Sequence, residues 1–151
     1  MSDLNLRHNL QRYTDFFEQL NADNLGQIAS VMTGDVHFVD PFNDVHGVKS
    51  VEKIFQHMFT TLQDSKFKVT HAALADTPKA DASRPCGLIR WELSSLLNGK
   101  PYTITGMSEV SFEADGRVSS HIDHWDAAQQ FYERLPIIGW LLKTIRARLA
   151  V

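Results

Sequence analysis

Cysteine is nearly missing from this 151-residue chain, where Cys86 stands alone. That excludes an intrachain disulfide and any zinc site built from paired cysteines. Long apolar runs are missing as well: no stretch of about 18 apolar residues exists that could span a membrane as a helix. The opening MSDLNLRHNLQRY lacks the apolar segment of a secretory signal, so a cytoplasmic location is expected. Excess charge is small. Lys plus Arg number 15 against 18 Asp plus Glu, a balance of −3, which is too acidic for a general nucleic-acid binder. No Gly-x-Gly-x-x-Gly occurs, and Gly47-Val-Lys-Ser lacks the upstream glycine of a phosphate loop. Gly-x-Ser-x-Gly is absent, and Cys86 follows Arg84-Pro85 with no evident base, so no covalent nucleophile is expected. His-Glu-x-x-His and acidic calcium loops are absent too, and neither a metal nor a cofactor is expected.

What remains is an ordinary folding composition, 43% hydrophobic and 22% charged, enough for one domain with its own core. Leu6, Leu10, Tyr13, Phe16, Phe17 and Leu20 recur at helical spacing. A second short helix is predicted through Leu25, Ile28, Ala29 and Met32, broken by Gly34-Asp35. Val36 to Asp40 alternates as a strand that Pro41 stops, and 41–47 reads as a loop. A third helix starts near Ser50 and carries Val51, Ile54, Phe55, Met58, Phe59 and Leu62. The period changes to two from Lys66 to Asp76, and 77–85 reads as an exposed loop. Strands over about 86–97 and 100–113 flank Asn98-Gly99, a strong hairpin signal. A last strand runs from Arg117 to Trp125, and helices follow over 126–134 and from Pro136. The expected fold is therefore α+β: a curved antiparallel sheet wrapped around helices as a cone with an open mouth.

Asn21-Ala-Asp-Asn-Leu, Val39-Asp40-Pro41 and Gly116-Arg117-Val118, with the three-helix start and four-strand finish, resemble the nuclear transport factor 2-like superfamily. The nearest likeness is to its SnoaL-like and ketosteroid isomerase-like branch, over about residues 6–128. The resemblance implies a cone-shaped, cystatin-like barrel and frequent dimers, here a homodimer. It places Asp40 where the family's catalytic base sits. The family's oxyanion tyrosine falls on Phe16, with Tyr13 one turn earlier, and its protonated aspartate falls on Ser108. Those two departures argue against ketosteroid isomerase chemistry itself.

Alternation puts His121, Asp123 and Trp125 on one face of the last strand, and Ile122, His124 and Asp126 on the other. The family pattern turns the first set inward. The expected pocket is lined by Tyr13, Phe16, Phe38, Trp91, Ser108 and Trp125, with Asp40, His121 and Asp123 as catalytic candidates. A carboxylate in such a place suits general acid–base work. Structural readings stand beside each. Asp40 can cap its own turn, Asp123 can pair with Arg90 or a histidine, and His121 can be bonded to a neighbour. His37 reads as surface, and His124 as packed under a helix.

The sequence divides at 134. Residues 1–133 hold every acidic residue and net −7, whereas Arg134, Lys143, Arg146 and Arg148 leave the remainder at +4. Residues 135–151 read as an amphipathic basic helix after a 1–134 domain, with Ile138, Leu141, Leu142, Ile145 and Leu149 on one face. It can cover the pocket, pack on a second subunit, or make a weak contact with an anionic membrane surface. The functional expectation is an enzyme of isomerase, cyclase, dehydratase or hydrolase type, acting on a small apolar substrate through Asp40. The alternative is a non-catalytic module that binds a hydrophobic ligand.

Overall fold

The computed structural model describes residues 3–76, 85–134 and 136–149. All but the last residue of the predicted 77–85 loop lies outside them. Helix α1 (Asp3–Gln19) buries Leu10, Tyr13 and Phe17 on one side, and Leu20 just beyond its end is buried too. A 3-10 turn over Leu25–Ser30 buries Leu25 and Ile28. Helix α2 spans Val48–Thr61 and buries Val48, Val51 and Phe55. The strands are β1 (Met32–Val39), β2 (Asp44–His46), β3 (Gln63–Leu74), β4 (Cys86–Leu97), β5 (Lys100–Phe112) and β6 (Val118–His124). A short α3 (Ala127–Gln130), a 3-10 turn over Tyr132–Arg134 and α4 (Pro136–Leu149) complete the chain.

The six strands form one curved, unclosed sheet in the order β2-β1-β6-β5-β4-β3. The meander from β3 to β6 is antiparallel, and β1 joins β6 in parallel. This is the α+β cone expected from the resemblance. The hairpin is built as its sequence demands: Asn98 and Gly99 have φ of 53° and 73°, the positive values a two-residue turn requires. Alternation then sends Ile89, Trp91, Leu93 and Ser95 inward from β4, and Tyr102, Ile104, Ser108 and Val110 inward from β5.

Three local readings change. Met32 belongs to β1 rather than to the preceding helix, because it is fully buried and pairs with Val118 of β6. Gly34-Asp35 falls where the β1–β6 register shifts, so it bends a strand instead of ending a helix. The 41–47 loop contains β2, since Asp40 and Asn43 exchange backbone bonds of 2.9 and 3.3 Å and return the chain antiparallel to β1. Pro41 stops the ladder but sits in a tight turn, which a short edge strand can follow.

Candidate active site

A chain of side-chain hydrogen bonds runs through the inside of the cone. Sheet register assembles it: β5 and β6 place Ser108 opposite Asp123, and β1 and β6 place Phe38 opposite His121. From α1, Tyr13 Oη lies 2.6 Å from His121 Nδ1. His121 Nε2 lies 2.8 Å from Asp123 Oδ1. Ser108 Oγ donates to the same oxygen at 2.5 Å, and Trp91 Nε1 donates to Ser108 Oγ at 2.8 Å. An ionised carboxylate only accepts, so a neutral His121 carries its proton on Nε2 and accepts from Tyr13 at Nδ1. The protons of all four donors are thereby assigned in one direction, toward Asp123.

The surroundings bury most of this chain. His121 is 4% exposed and Ser108 2%. The imidazole stacks on Phe38, with ring centroids 4.9 Å apart, and also meets Phe17 at 5.7 Å. Burial pushes the Tyr13 phenol well above the ordinary tyrosine value, and the negative charge of Asp123 adds to the rise. Space for Trp91 comes from Gly106, where a Cβ would stand 2.6 Å from the indole ring.

Asp123 stands at the junction of two spaces. A cavity of about 40 Å³ lies behind the chain, against Tyr13, Thr14 and Phe17. In front lies a cavity of about 550 Å³, within the size range of small-molecule sites. Its wall is chiefly Phe, Leu, Ile, Met and Trp, including Phe38, Phe67, Trp91, Ile104 and Trp125. Among the described residues, no Lys or Arg lines it, whereas Asp40 and Asp123 both do. Both of the hydrogen bonds made to Asp123 land on Oδ1.

Asp40 reaches the same cavity in a different state. Its Oδ1 accepts from the backbone N–H groups of Phe42 at 2.7 Å and Asn43 at 2.8 Å, and from Asn43 Nδ2 at 3.0 Å. Its Oδ2 accepts from Asn43 Nδ2 at 2.9 Å. The turn-capping role and a place on the cavity wall therefore coexist, with most of the carboxylate's four or so acceptor sites in use.

The predicted pocket residues Tyr13, Phe38, Trp91, Ser108 and Trp125 all line one or both cavities, together with His121 and Asp123. Phe16 does not. It is half-buried on α1, and Phe17 takes the inner position, because the buried face follows Leu10, Tyr13, Phe17 and Leu20. His124 is not under a helix: it is more than half exposed and pairs with Glu109 at 3.2 Å. Sequence reasoning missed the aromatic rim. Phe42 meets Trp125, Phe131 and Tyr132 edge-on at 5.4, 5.2 and 6.0 Å, and Phe131 and Tyr132 close the far side of the cavity. Away from it, His37, Asp44 and His46 bring three possible metal ligands within 4.8 Å on the β1–β2 edge. There His37 bonds Asp44 at 2.8 Å and stacks on His46.

No helix among the described residues is long and apolar enough to cross a membrane. No curated protein matches the chain. Solved structures do. An NTF2-like protein of unknown function from Exiguobacterium is 21% identical, with a TM-score of 0.65 over 78% of this chain and 98% of that one. Another such protein, from Burkholderia pseudomallei, is 19% identical at a TM-score of 0.63, over 85% and 95%. An LEH-like epoxide hydrolase from M. tuberculosis is 10% identical, with a TM-score of 0.63 over 95% and 93%. These likenesses establish the fold. The SnoaL-like domain family matches residues 13–121, from the phenol of Tyr13 to the imidazole of His121, so the chain belongs to the SnoaL-like family of the nuclear transport factor 2-like superfamily.

Proposed function

We propose that the protein performs general acid–base chemistry on a neutral, largely apolar small molecule held in the larger cavity. The observation that carries this reading is the hydrogen-bond chain that ends on Asp123 at the cavity wall. Asp123 is the proton acceptor. Tyr13, His121 and Ser108 are positioning residues that fix its orientation and orient their donors toward its charge. After the transfer, Asp123 returns the proton to the substrate, so the enzyme ends as it began. Asp40 is the second acid, at the turn, with Oδ2 the less occupied oxygen. Two carboxylates, with no Lys or Arg in the lining among the described residues, disfavour an anionic ligand. Isomerisation, cyclisation, dehydration and hydrolysis each include a proton transfer of this kind, and the fold hosts enzymes, the epoxide hydrolase among them.

The test uses Nile red for occupancy and a panel of neutral apolar ketones, starting with 2-tetralone, for proton transfer. Exchange of the α-hydrogens for solvent deuterium is followed by NMR. The wild-type protein should accelerate exchange, and Asp123→Asn should lower the rate by about 100-fold or more, the usual worth of a positioned base. Asp40→Asn should cost less. Nile red binding without any acceleration would overturn the enzyme reading in favour of a binding module. Acceleration that survives Asp123→Asn would overturn the assignment of the base.

A further inference from the structure

We propose that α4 docks the protein on an anionic lipid surface, and that the ligand of the cavity is a neutral, chain-bearing amphiphile taken from that surface. The second half rests on the reading of the cavity given above; the docking does not.

The attachment of α4 defines which side of it is free. Gly139 lies against the backbone of Glu133, so close that a Cβ would stand 2.2 Å from the Glu133 carbonyl oxygen. One heptad on, Arg146 reaches the Glu133 carboxylate at 3.1 Å. At about 100° per residue, Trp140, Arg148 and Ile145 then lie on the flanks and far side. They are exposed accordingly: Trp140 is 69% and Ile145 46% accessible, and Arg148 is also exposed. Lys143, four residues after Gly139, leaves from the edge of the anchored side and is exposed as well. A large indole and a branched aliphatic flank a cationic side chain on a helix that follows the last acidic residue of the chain.

Charge selects the occupant. The final 18 residues carry +4 and the preceding 133 carry −7. An anionic bilayer attracts the first and repels the second, which orients the molecule with α4 down. Arg146 is engaged by Glu133 and Arg134 by the Tyr102 ring, so Lys143 and Arg148 are the cations presented outward. Interfacial Trp with Lys and Arg is the side-chain chemistry of helices that lie in a headgroup layer. A second copy packed α4 against α4 would bring like charge against like.

Position supplies the ligand class. Phe131 and Tyr132, immediately before the Glu133 anchor, line the cavity. Arg134 is held over the Tyr102 ring at 4.6 Å, and Tyr102 lines the cavity too. The segment that carries the docking helix is thus also a wall of the apolar chamber. A bilayer beneath α4 would adjoin that wall, and a bilayer-resident molecule with an apolar chain matches the lining of the chamber.

Docking is tested by sedimenting the full chain with phosphatidylcholine vesicles and with vesicles containing 30% phosphatidylglycerol, each at low and at 500 mM salt. The anionic vesicles should capture at least ten times more protein at low salt, and high salt should reverse this. The exposed double variant K143E/R148E should lose the binding, and W140S should weaken it, both with unchanged circular dichroism. Equal capture by both vesicle types, no capture, or full capture of K143E/R148E would overturn the docking. Self-association of the wild type in sedimentation velocity that W140S abolishes, without vesicle capture, would reassign α4 to a second copy. The ligand class is read separately, by native mass spectrometry after incubation with monoolein vesicles. A retained monoolein supports it. Vesicle capture with an empty cavity overturns the amphiphile while leaving the docking intact, and failure of both monoolein and Nile red places the fault in the reading of the cavity.

Discussion

Tyr13 and His121 are joined by a 2.6 Å hydrogen bond across 108 residues of sequence, inside a core where both side chains are buried. With His121 neutral and its Nε2 proton directed at Asp123, Nδ1 offers a lone pair that only Tyr13 satisfies among the described residues. Tyr13→Phe removes the donor and keeps the ring. The unsatisfied imidazole nitrogen then costs about 1–3 kcal/mol, which urea denaturation of the variant and wild type should register as a lower midpoint with an unchanged slope.

The same phenol makes stability depend on alkaline pH. Burial, then the charge of Asp123, raise its folded value well above that of an unfolded tyrosine, which is about 10. A group whose folded value is raised contributes stability in full below the unfolded value and loses it as pH climbs toward the folded one. Burial raises Tyr102 as well, against an opposing contribution from Arg134. Denaturation midpoints should therefore fall from about pH 10 upward, and the fall should be shallower in Tyr13→Phe. Equal slopes in the two proteins would remove Tyr13 from the account.

Gly106 offers a sharper test of the site. An added Cβ would lie 2.6 and 2.7 Å from two atoms of the Trp91 ring and 3.0 Å from Trp125 Cβ. A buried indole is not a flexible chain end, so Gly106→Ala must move it. The move strains the Trp91 Nε1 bond to Ser108. An overpacking cost of about 1–3 kcal/mol is expected, with a shift in Trp fluorescence and weaker Nile red binding. A variant with wild-type stability and emission would show that the sheet yields instead.

Much of this was legible from periodicity. The two-residue repeat of β6 placed His121, Asp123 and Trp125 together, and that of β4 and β5 added Trp91 and Ser108, because a sheet with one buried face transmits its pattern directly into the sequence. The roles of individual residues were less legible. Tyr13, Phe16 and Phe17 all sit on the apolar side of α1, and a one-residue difference in helix rotation decides which enter the cone. The expected pocket took Tyr13 and Phe16 from α1, while packing keeps Tyr13 and puts Phe17 in place of Phe16. Phe42, Phe131 and Tyr132 come together across roughly 90 residues through loops and short turns, which carry no repeat at all. Nor does alternation say whether an acid's oxygens are engaged. Asp40 looks like Asp123 in sequence, yet four donated bonds meet it within one turn.

That turn predicts unequal effects of two substitutions at one position. Asp40→Asn keeps an acceptor oxygen for the N–H groups of Phe42 and Asn43, whereas Asp40→Ala keeps none. The alanine variant should lose about 1–2 kcal/mol, comparable to deleting a capping side chain, and the asparagine variant appreciably less. Phe42 is held by the turn, so the alanine variant should also loosen the aromatic rim. Nile red affinity is the readout, and equal affinity in the two variants would separate the turn from the rim.

The junction with α4 should give way independently of the core. Glu133 is 8% exposed, and the Arg146 that meets its carboxylate is half exposed. Solvent screens the cationic end, so the pair is worth less than a buried one, about 1 kcal/mol. Arg146→Ala nonetheless leaves a buried carboxylate without that partner, and Gly139→Ala drives a Cβ into the Glu133 carbonyl. Both variants should raise hydrogen exchange across α4. Amides of β4 and β5 should keep their protection, since their bonds are made within the sheet. The steric change should act more strongly than the electrostatic one, because backbone atoms in contact have no rotamer by which to escape. Exchange that rises in α4 and the central strands together would mean that the helix belongs to the cooperative unit of the cone, and that the anchor at Glu133 is part of its core.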